Sequence, residues 1–432
     1  MMEKDTRVLV FPCGSEIGLE IHQALKWAKH IRLYGASSVQ DHGECVYKNY
    51  IGGLPRVEEK TFIQCIRNII KKCDIDYLFP AHDSAVVKLA QEEKRLGCEV
   101  IGSSVETCCL CRSKGKTYEK LRGIVLTPRI YPKGSSDIPF PIFLKPDVGQ
   151  GSKGVFKAYS DEDIEFYLKK DPTLLVLEYL PGREYTVDCF TDRLGRLRFV
   201  GARERLRIMN GISVRARSEK KDRFRLFAET INQALMLRGT WFFQVKENRE
   251  GELVLQEIAP RIAGGMALYR NVGVNFPLLS IYDAMGLDLS LVLNSYSIEM
   301  DRALMNVFSI GLKYKHVFID LDDTIVLRNT VNPWVMAFLF QCINEGVKLH
   351  LLTRHEDVYG ERVKTVLRRY RLETIFDSVI PVSEDEEKAD YINRKSAIFI
   401  DDSFRERHRV KKRLGIPTFD TSGLESLLNW KY

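Results

Sequence analysis

Apolar and polar positions in the first quarter of the chain follow a repeated strand–turn–helix pattern. Residues 7–28 (RVLVFPCGSEIGLEIHQALKWA) begin with an apolar run, pass a glycine-containing turn and continue with apolar positions at helical spacing. Residues 76–97 repeat this order, and another short apolar run follows them. Because strands that alternate with helices favour a parallel sheet, we predict a small Rossmann-like α/β domain over residues 1–112.

The middle of the chain has a different pattern, in which strands follow one another with little helix between them. Residues 142–159 (IFLKPDVGQGSKGVFKAY) indicate a strand, a glycine loop and a second strand, and residues 174–206 continue the run of strands. Residues 223–237 have helical spacing, and residues 239–260 form two apolar strands around a polar turn. We therefore predict an α+β domain over residues 113–312.

The alternation of strands and helices returns in the last part of the chain, residues 313–432. Asn332 is suited to cap a helix, Pro333 to its first turn and Gly346 to its end. The strands of the sheet are expected at 315–321, 347–353 and 396–403. The expected apolar stripe of the helix consists of Trp334, Val335, Phe338, Leu339, Cys342 and Ile343. We predict a third, α/β domain here, so the whole chain is of α/β and α+β multidomain class.

Composition is that of a globular protein with more than one domain. The 432 residues are 45% apolar and 28% charged. No run approaches the roughly 20 apolar residues that span a bilayer. Acidic residues precede the first apolar run, which is unlike a signal peptide. We therefore expect a cytoplasmic protein with no membrane partner.

The net charge of +7 is modest, and the densest basic stretch is residues 203–225. This stretch lacks interleaved aromatic residues that could stack on bases, and no nucleic-acid-binding motif accompanies it. We expect no nucleic-acid partner. A solvated basic face explains the stretch best, and recognition of a phosphorylated or carboxylate substrate is the alternative.

The glycine loop VGQGSKG at 148–154 lies between two predicted strands, so it differs from a Walker-A loop, which opens a helix. Its glycines would let backbone N–H groups approach a triphosphate without a side-chain clash. Lys145, just before the loop, adds a positive charge. Taken alone, the segment is more consistent with an ordinary hairpin loop than with a phosphate-binding loop.

Further charged residues accompany this loop in a recognisable order. They are Lys114 in SKGKTYEKL, Glu178 and Glu184 in LVLEYLPGREYTVD, and Glu257 and Arg261 in QEIAPRIAGG. The order resembles the ATP-grasp superfamily, in particular the carboxylate–amine ligases that are similar to the carbamoyl-phosphate synthetase large subunit. The resemblance covers about 1–310, and the first predicted domain corresponds to the family's pre-ATP-grasp domain.

The resemblance implies ATP and Mg²⁺ as cofactors and assigns a role to each matching residue. The residues expected to bind ATP are Lys114 and Lys145 at the phosphates, Gly149, Gly151, Ser152 and Gly154 in a closing lid, Glu178, Tyr179 and Leu180 at adenine, and Glu184 at the ribose hydroxyls. Gln244 and Glu257 are the expected metal ligands, and Arg261 is expected to face the transferring phosphoryl group. The family usually has Asn, a further metal ligand, at the position of Ala259. Either Glu257 and water then carry a second metal, or only one metal binds well.

Residues 318–327 read FIDLDDTIVL, an apolar strand that runs directly into acidic residues. This segment resembles motif I of the haloacid dehalogenase (HAD) superfamily, which implies Asp320 as nucleophile and Asp322 as general acid and base. Thr353 matches the family's phosphoryl-binding position, and Asp401 and Asp402 end the strand where the family keeps its Mg²⁺-binding acids, with Asp401, Asp320 and Asp322 as the expected metal ligands. Lys388 is our choice for the family's lysine, and Lys395 is the alternative. The short spacings leave no room for an inserted cap domain, so we expect a capless phosphatase.

Together these resemblances imply a bifunctional enzyme that joins a small-molecule carboxylate to an amine and removes a phosphate from the amine or from the amide product. The alternatives are an amino-acid or dipeptide ligase with an independent phosphatase, and a degenerate nucleotide-sensing domain that regulates the phosphatase. Since many relatives are dimers, a homodimer is also expected.

Overall fold

The computed structural model describes residues 5–135, 137–149, 151, 153–220, 222–354 and 361–431. Contacts divide the chain into two compact units, Met1–Leu304, here called the N-terminal unit, and Met305–Lys431, the C-terminal unit. The predicted boundary at 312/313 lies close to this division. The predicted boundary at 112/113 lies inside the N-terminal unit, and the division into three domains stays a prediction.

The N-terminal unit begins with a parallel sheet, as its strand–helix alternation predicts. The strands are β1 (Thr6–Phe11), β2 (Ile31–Ala36), β3 (Asn49–Ile51), β4 (Tyr77–Pro80) and β5 (Glu99–Val100), in the order β3-β2-β1-β4-β5. The helices are α1 (Glu16–Leu25), α2 (Gly43–Val46), α3 (Phe62–Cys73), α4 (Asp83–Leu96) and α5 (Val105–Arg112). Ser15 and His82 cap the N-termini of α1 and α4, directly after β1 and β4. Both helix starts therefore lie at the carboxyl edge of this sheet, where open α/β sheets bind ligands.

A small antiparallel sheet carries the glycine loop. After α6 (Lys114–Leu121) come β6 (Ile130–Tyr131), β7 (Ile142–Pro146), β8 (Phe156–Ala158), α7 (Asp161–Lys170) and β9 (Leu174–Glu178), with the strand order β6-β9-β7-β8. The loop joins β7 to β8, as predicted. One apolar face of the sheet packs against α7 around Leu144, Ile164 and Val176.

A larger antiparallel sheet completes the N-terminal unit. It contains β10 (Glu184–Thr191), β11 (Leu197–Met209), β12 (Ile212–Glu219), β13 (Gly239–Glu247), β14 (Leu253–Ala259) and β15 (Glu299–Asp301), in the order β14-β13-β10-β11-β12-β15. Helices α8 (Asp222–Ala234), α9 (Ala267–Arg270) and α10 (Phe276–Ala284) accompany it, with a 3₁₀ helix at Gly264–Met266. Trp241, Phe243 and Tyr185 are fully buried between this sheet and α8. The predicted hairpin of β13 and β14 pairs Gln244 with Glu257 across the two strands.

The C-terminal unit contains a second parallel sheet. Its strands are β16 (His316–Ile319), β19 (Lys348–Arg354), β20 (Ser378–Val382), β21 (Ala397–Ile400) and β22 (Thr418–Phe419), in the order β20-β19-β16-β21-β22, and β17 (Val326–Leu327) pairs with β18 (Thr330–Val331) in a separate hairpin. The helices are α11 (Pro333–Asn344), α12 (Glu361–Tyr370) and α13 (Phe404–Leu414), with 3₁₀ helices at Lys388–Tyr391 and Thr421–Leu427. The hairpin, α11 and β19 occupy the chain between Asp323 and Thr353. That the unit lacks a cap domain stays a prediction.

One detail of the predicted apolar stripe on α11 is wrong. Val335, Phe338 and Leu339 are buried as expected, but Trp334 and Ile343 are 52% and 44% exposed. These two lie at the edges of the stripe, because the face of α11 that packs on the sheet is narrower than the sequence pattern. In the part of the chain that the structure describes, no helix has the length and apolar character needed to cross a membrane.

Candidate active sites

Most residues expected to bind the nucleotide line one cavity of the N-terminal unit, here called the main cleft. Its volume is about 150 Å³. The expected residues that line it are Lys114, Lys145, Gly149, Gly151, Glu178, Tyr179, Leu180, Glu184, Gln244 and Glu257. Gly154 belongs to the same loop without lining the cleft, and Ser152 lies outside the described residues. Residues that are up to 143 positions apart in sequence thus converge on one site, Lys114 with Glu257.

Two buried lysines line the main cleft. Lys114 is the first residue of α6, and its Nζ donates to the carbonyl oxygens of Asp147 (3.5 Å) and Gly149 (3.4 Å). Lys145 Nζ donates to the carbonyl oxygen of Gln256 at 2.9 Å, and burial lowers the pKa of this lysine to about 8. Among the described residues, neither ammonium has a carboxylate as a recorded hydrogen-bond partner. An anionic ligand would supply the negative counter-charge that the two ammonium groups lack among their hydrogen-bond partners.

The base of the glycine loop is fastened to the start of α6. The Asp147 carboxylate accepts hydrogen bonds from the Ser113 hydroxyl (2.8 Å) and the Gly115 N–H (2.7 Å), and Arg112 Nη1 donates to the Gly149 carbonyl (3.1 Å). Further along, Gly151 has φ +62°, a left-handed conformation that favours glycine. The loop is therefore held at its base and shaped by glycine near its tip.

The residues expected at adenine and ribose also line the main cleft. Glu178 Oε1 accepts the Arg129 N–H at 2.9 Å, which fixes the end of β9. The Lys157 ammonium lies 4.0 Å from the centroid of the Tyr179 ring. The Glu184 carboxylate, expected at the ribose, accepts a hydrogen bond from Arg205, which the sequence interpretation placed only within the basic stretch.

The expected metal ligands face each other on β13 and β14. Gln244 and Glu257 supply hard oxygens, which suit Mg²⁺. The Gln244 amide oxygen, however, already accepts a hydrogen bond from Arg205 Nη1 at 2.9 Å. Ala259 lies on β14, two residues after Glu257, and is buried; its side chain has no atom that could bind a metal. The donor set therefore fits one Mg²⁺ and offers little to a second.

Arg261 lines a cavity of about 260 Å³ that adjoins the main cleft and shares Gln244 and Glu257 with it. Its guanidinium makes a bidentate pair with Asp83, the first residue of α4, at 2.6 and 2.9 Å. Burial alone would raise the pKa of Asp83, but the Arg261 charge holds it below the usual value. Asp83 therefore fixes the position of Arg261. Sequence reasoning missed this role of Asp83, and the one hint to it was that Asp83 lies at the turn between a predicted strand and a predicted helix.

The basic stretch on β11 and β12 is balanced by acidic partners. Arg203, Arg205, Arg207, Arg215 and Arg217 pair with Asp188, Glu184, Asp301, Glu299 and Glu204 respectively. Recognition of a phosphorylated or carboxylate substrate by this stretch stays a prediction. Only Arg203 and Arg205 of these five line the adjoining cavity.

A second candidate site lies at the carboxyl edge of the parallel sheet in the C-terminal unit. Asp320 follows β16, Asp401 follows the neighbouring β21, and Lys388 Nζ lies 2.7 Å from a carboxylate oxygen of each. Lys388 is buried, whereas the alternative Lys395 is exposed, with no recorded contact to these acids. The geometry thus favours Lys388, although its role stays a prediction.

The same edge holds a cluster of acidic oxygens. One carboxylate oxygen from each of Asp320, Asp401 and Asp402 lies within 4.8 Å of the others, the one such group found among the described residues. Three carboxylates around one ammonium leave an excess of negative charge that suits a divalent cation. Burial raises the pKa of Asp320 to about 7, although the Lys388 charge acts to lower it. Asp322, which we had expected as a ligand, lines the cavity but is exposed and outside this cluster, whereas Asp402 belongs to it.

Thr353 lies on β19 next to Arg354, which lines the cavity, but Thr353 itself is not among the lining residues. It is fully buried, and its hydroxyl has no hydrogen-bond partner among the described residues. Arg354 donates to the carbonyl oxygens of Ser383 (2.6 Å) and Glu386 (2.8 Å), which holds that loop beside the cavity. A buried unpaired hydroxyl costs about 1–3 kcal/mol, and its contact with a phosphoryl oxygen stays a prediction.

Comparison with known proteins places the N-terminal site in context. A family model described as ATP-grasp in the biosynthetic pathway with Ter operon matches residues 170–301. The D-alanine–D-alanine ligase of Thermotoga maritima is 32% identical over 108 residues, which are 23% of this chain and 36% of that protein. The carbamoyl phosphate synthase large chain of Agathobacter rectalis is 25% identical over 121 residues, 24% of this chain and 11% of that protein. The chain thus spans little more than a third of the first relative.

A similar solved structure is the biotin carboxylase domain dimer of Hydrogenobacter thermophilus 2-oxoglutarate carboxylase, in complex with MgADP, ADP and bicarbonate. It matches this chain with a TM-score of 0.56 and 15% sequence identity, and the match covers 66% of this chain and 71% of that one. The chain therefore has a mixed α/β fold with ATP-grasp neighbours. The comparisons support the resemblance to ATP-grasp carboxylate–amine ligases. The HAD-like interpretation of the C-terminal unit stays a prediction.

Proposed function

We propose that the N-terminal unit is an ATP-dependent carboxylate–amine ligase and that the C-terminal unit is a Mg²⁺-dependent phosphatase. The observation that carries the ligase proposal is the convergence of Lys114, Lys145, Glu184 and Glu257 on the main cleft. Similarity of residues 170–301 to an ATP-grasp family supports it.

The proposed ligase activates a carboxylate, which is a poor electrophile at neutral pH because its leaving group would be oxide. Transfer of the γ-phosphoryl group of ATP gives an acyl phosphate, and an amine then attacks the carbonyl carbon and expels phosphate. Lys114 and Lys145 hold the nucleotide phosphates, and Arg261 faces the transferring group. Gln244 and Glu257 would hold Mg²⁺, which neutralises charge between the phosphates when bound. The glycine loop keeps water from the acyl phosphate.

The proposed phosphatase uses covalent and acid–base roles of carboxylates. Asp320 attacks the phosphorus of a phosphomonoester, and Asp322 protonates the leaving oxygen and then activates the water that hydrolyses the aspartyl phosphate. The Thr353 hydroxyl and Lys388 bind phosphoryl oxygens. Asp401, with Asp402, would hold Mg²⁺, which offsets the charge of phosphate and carboxylates when bound.

The presence of both units in one chain suggests a shared pathway, in which the phosphatase acts on the phosphorylated amine or on the phosphorylated amide. To test this, the protein and its Asp320→Asn variant are incubated with ATP, sugar uronates and phosphorylated amino alcohols, and ADP, phosphate and amides are quantified. The variant should accumulate a phosphorylated amide that the wild-type protein dephosphorylates. Identical products from both proteins on every productive pair would refute the coupling.

A second candidate is an amino-acid or dipeptide ligase with an independent phosphatase, which the match to D-alanine–D-alanine ligase favours. Amino-acid pairs would then yield ADP and a dipeptide, and no ligation product would be hydrolysed by the C-terminal unit. A third candidate, suggested by Ala259, is a nucleotide sensor that binds ATP without forming ADP with any acceptor. We also propose a homodimer, which light scattering would test, because the H. thermophilus neighbour is a dimer.

A further inference from the structure

Arg205 occupies a central position that the sequence did not reveal. It lies on β11, its side chain is only 6% exposed, and it lines both the main cleft and the adjoining cavity around Arg261. Burial of a guanidinium is costly unless the group is paired and hydrogen-bonded. Arg205 therefore holds a buried positive charge where the two cavities meet.

The hydrogen bonds of Arg205 hold its guanidinium in one orientation. Nη1 donates to the Gln244 amide oxygen at 2.9 Å and also to Glu184, and Nη2 donates to the Gly211 carbonyl at 2.8 Å. The Nε–H is buried and has no partner among the described residues. The guanidinium is thus fixed from two sides, and its donor capacity is incompletely used.

The same contacts reduce what the cleft can offer to metal ions. The amide oxygen of Gln244 is shared with Arg205, Ala259 provides no ligand, and Glu257 remains as the carboxylate on that hairpin. Among the described residues, the group of three acidic side chains close enough to hold a metal ion lies in the C-terminal unit, and none was found in this cleft. A pair of Mg²⁺ ions does not fit this donor set.

We propose that Arg205 replaces a second metal ion, so that its guanidinium neutralises the nucleotide phosphates beside a single Mg²⁺. This inference rests on the proposed ATP-dependent function. Arginine suits the task because its charge is permanent and its planar set of N–H donors matches phosphate oxygens. Glu184 can keep its contact with Arg205 and still accept a ribose hydroxyl, because a carboxylate has about four acceptor sites.

The test counts metal ions that accompany the nucleotide. Mn²⁺ bound to the full chain is measured by electron paramagnetic resonance with and without the β,γ-imido analogue of ATP, and the increment on adding the analogue is taken, which removes Mn²⁺ bound in the C-terminal unit. The wild-type protein should gain one Mn²⁺ per chain. The double variant Arg205→Gln/Ala259→Asn, which restores an amide ligand and frees Gln244, should gain two.

Affinity for the analogue provides a second readout. Arg205→Gln alone should weaken binding roughly 10- to 100-fold, the effect of losing a charge-assisted hydrogen bond. Arg205→Lys, which keeps the charge, should recover part of this loss, and circular dichroism checks that each variant is folded. Arg207→Gln is the matched control, because Arg207 is on the same strand but half-exposed and paired with Asp301, and its affinity should be unchanged.

Each outcome separates the inference from the function on which it rests. A gain of two Mn²⁺ by the wild-type protein, or wild-type affinity in folded Arg205→Gln, overturns the role of Arg205 while leaving an ATP-binding site intact. Failure of the wild-type protein to bind the analogue at all refutes the proposed ligase, and with it the inference.

Discussion

Replacement of Asp188 by asparagine tests whether buried charge pairs control the stability of the large antiparallel sheet. Arg203 Nε and Nη2 lie 2.7 and 3.2 Å from the two carboxylate oxygens of Asp188, and the side chains are 4% and 0% exposed. The Asp188→Asn change keeps the shape but leaves the Arg203 charge buried and unpaired. Loss of one partner from such a pair costs about 3–5 kcal/mol.

Thermal unfolding measures this cost. Proteins of this size lose roughly 2 °C in Tm per kcal/mol, so the transition of the N-terminal unit should fall by about 6–10 °C. In urea, the midpoint should fall with little change in slope. The control is Asp301→Asn, which breaks the exposed pair with Arg207 and should cost about 0–1 kcal/mol.

A hydrophobic replacement completes this test. The double variant Asp188→Leu/Arg203→Met removes both charges and should recover most of the stability lost in Asp188→Asn, because a well-packed apolar pair often matches a buried ion pair. If Asp188→Asn unfolds at the same temperature as the Asp301→Asn control, the sheet does not depend on the charge pair and the reasoning is wrong.

Three further changes probe the two candidate sites and the C-terminal unit. Lys388→Met should lower hydrolysis of p-nitrophenyl phosphate about 100-fold and leave nucleotide binding unchanged, whereas Lys395→Met should change neither activity nor binding; equal losses of hydrolysis in the two variants would contradict the choice of lysine. Lys145→Met should weaken binding of the ATP analogue roughly 10- to 100-fold in calorimetry, and unchanged affinity would exclude it from the phosphate site. Burial lowers the pKa of His316 and His350 below the usual value, so the unfolded chain binds protons more readily and the C-terminal unit should lose stability as pH falls below about 6.5. The loss in free energy of unfolding is at most about 1.4 kcal/mol per pH unit and proton, and less for partly exposed rings. Replacing both histidines by glutamine should reduce the dependence of the free energy of unfolding on pH, measured by urea denaturation between pH 7.5 and 5. A pH dependence equal to that of the wild-type protein would refute the assignment.

The sequence could predict the elements that local pattern determines. The strand–helix alternation, the hairpin of β13 and β14 and the cap at Asn332 follow from apolar spacing and turn residues, and the structure contains each of them. Acidic residues that follow neighbouring parallel strands, such as Asp320 and Asp401, could also be expected at one edge of a sheet.

The sequence could not predict which charges pair across the fold. Asp83 and Arg261 are 178 positions apart and meet only because α4 and β14 are brought together. Arg205 looked like one of several arginines on a basic surface, yet Arg207, two residues further along β11, is half-exposed while Arg205 is buried, because the pairing of β11 with β12 shifts register between these two residues. Strand register and packing across the fold determine which of these side chains are buried and paired, and a local sequence pattern predicts neither.

The junction at Ser113–Gly115 couples the base of the glycine loop to the lysine at the start of α6. The Asp147 carboxylate accepts hydrogen bonds from the residues on either side of Lys114, so the glycine loop and this lysine share one anchor. A Cβ at Gly115 would lie 3.2 Å from that carboxylate. Substitution of Gly115 would therefore displace the base of the loop and Lys114 together, and neither could be adjusted alone from this position.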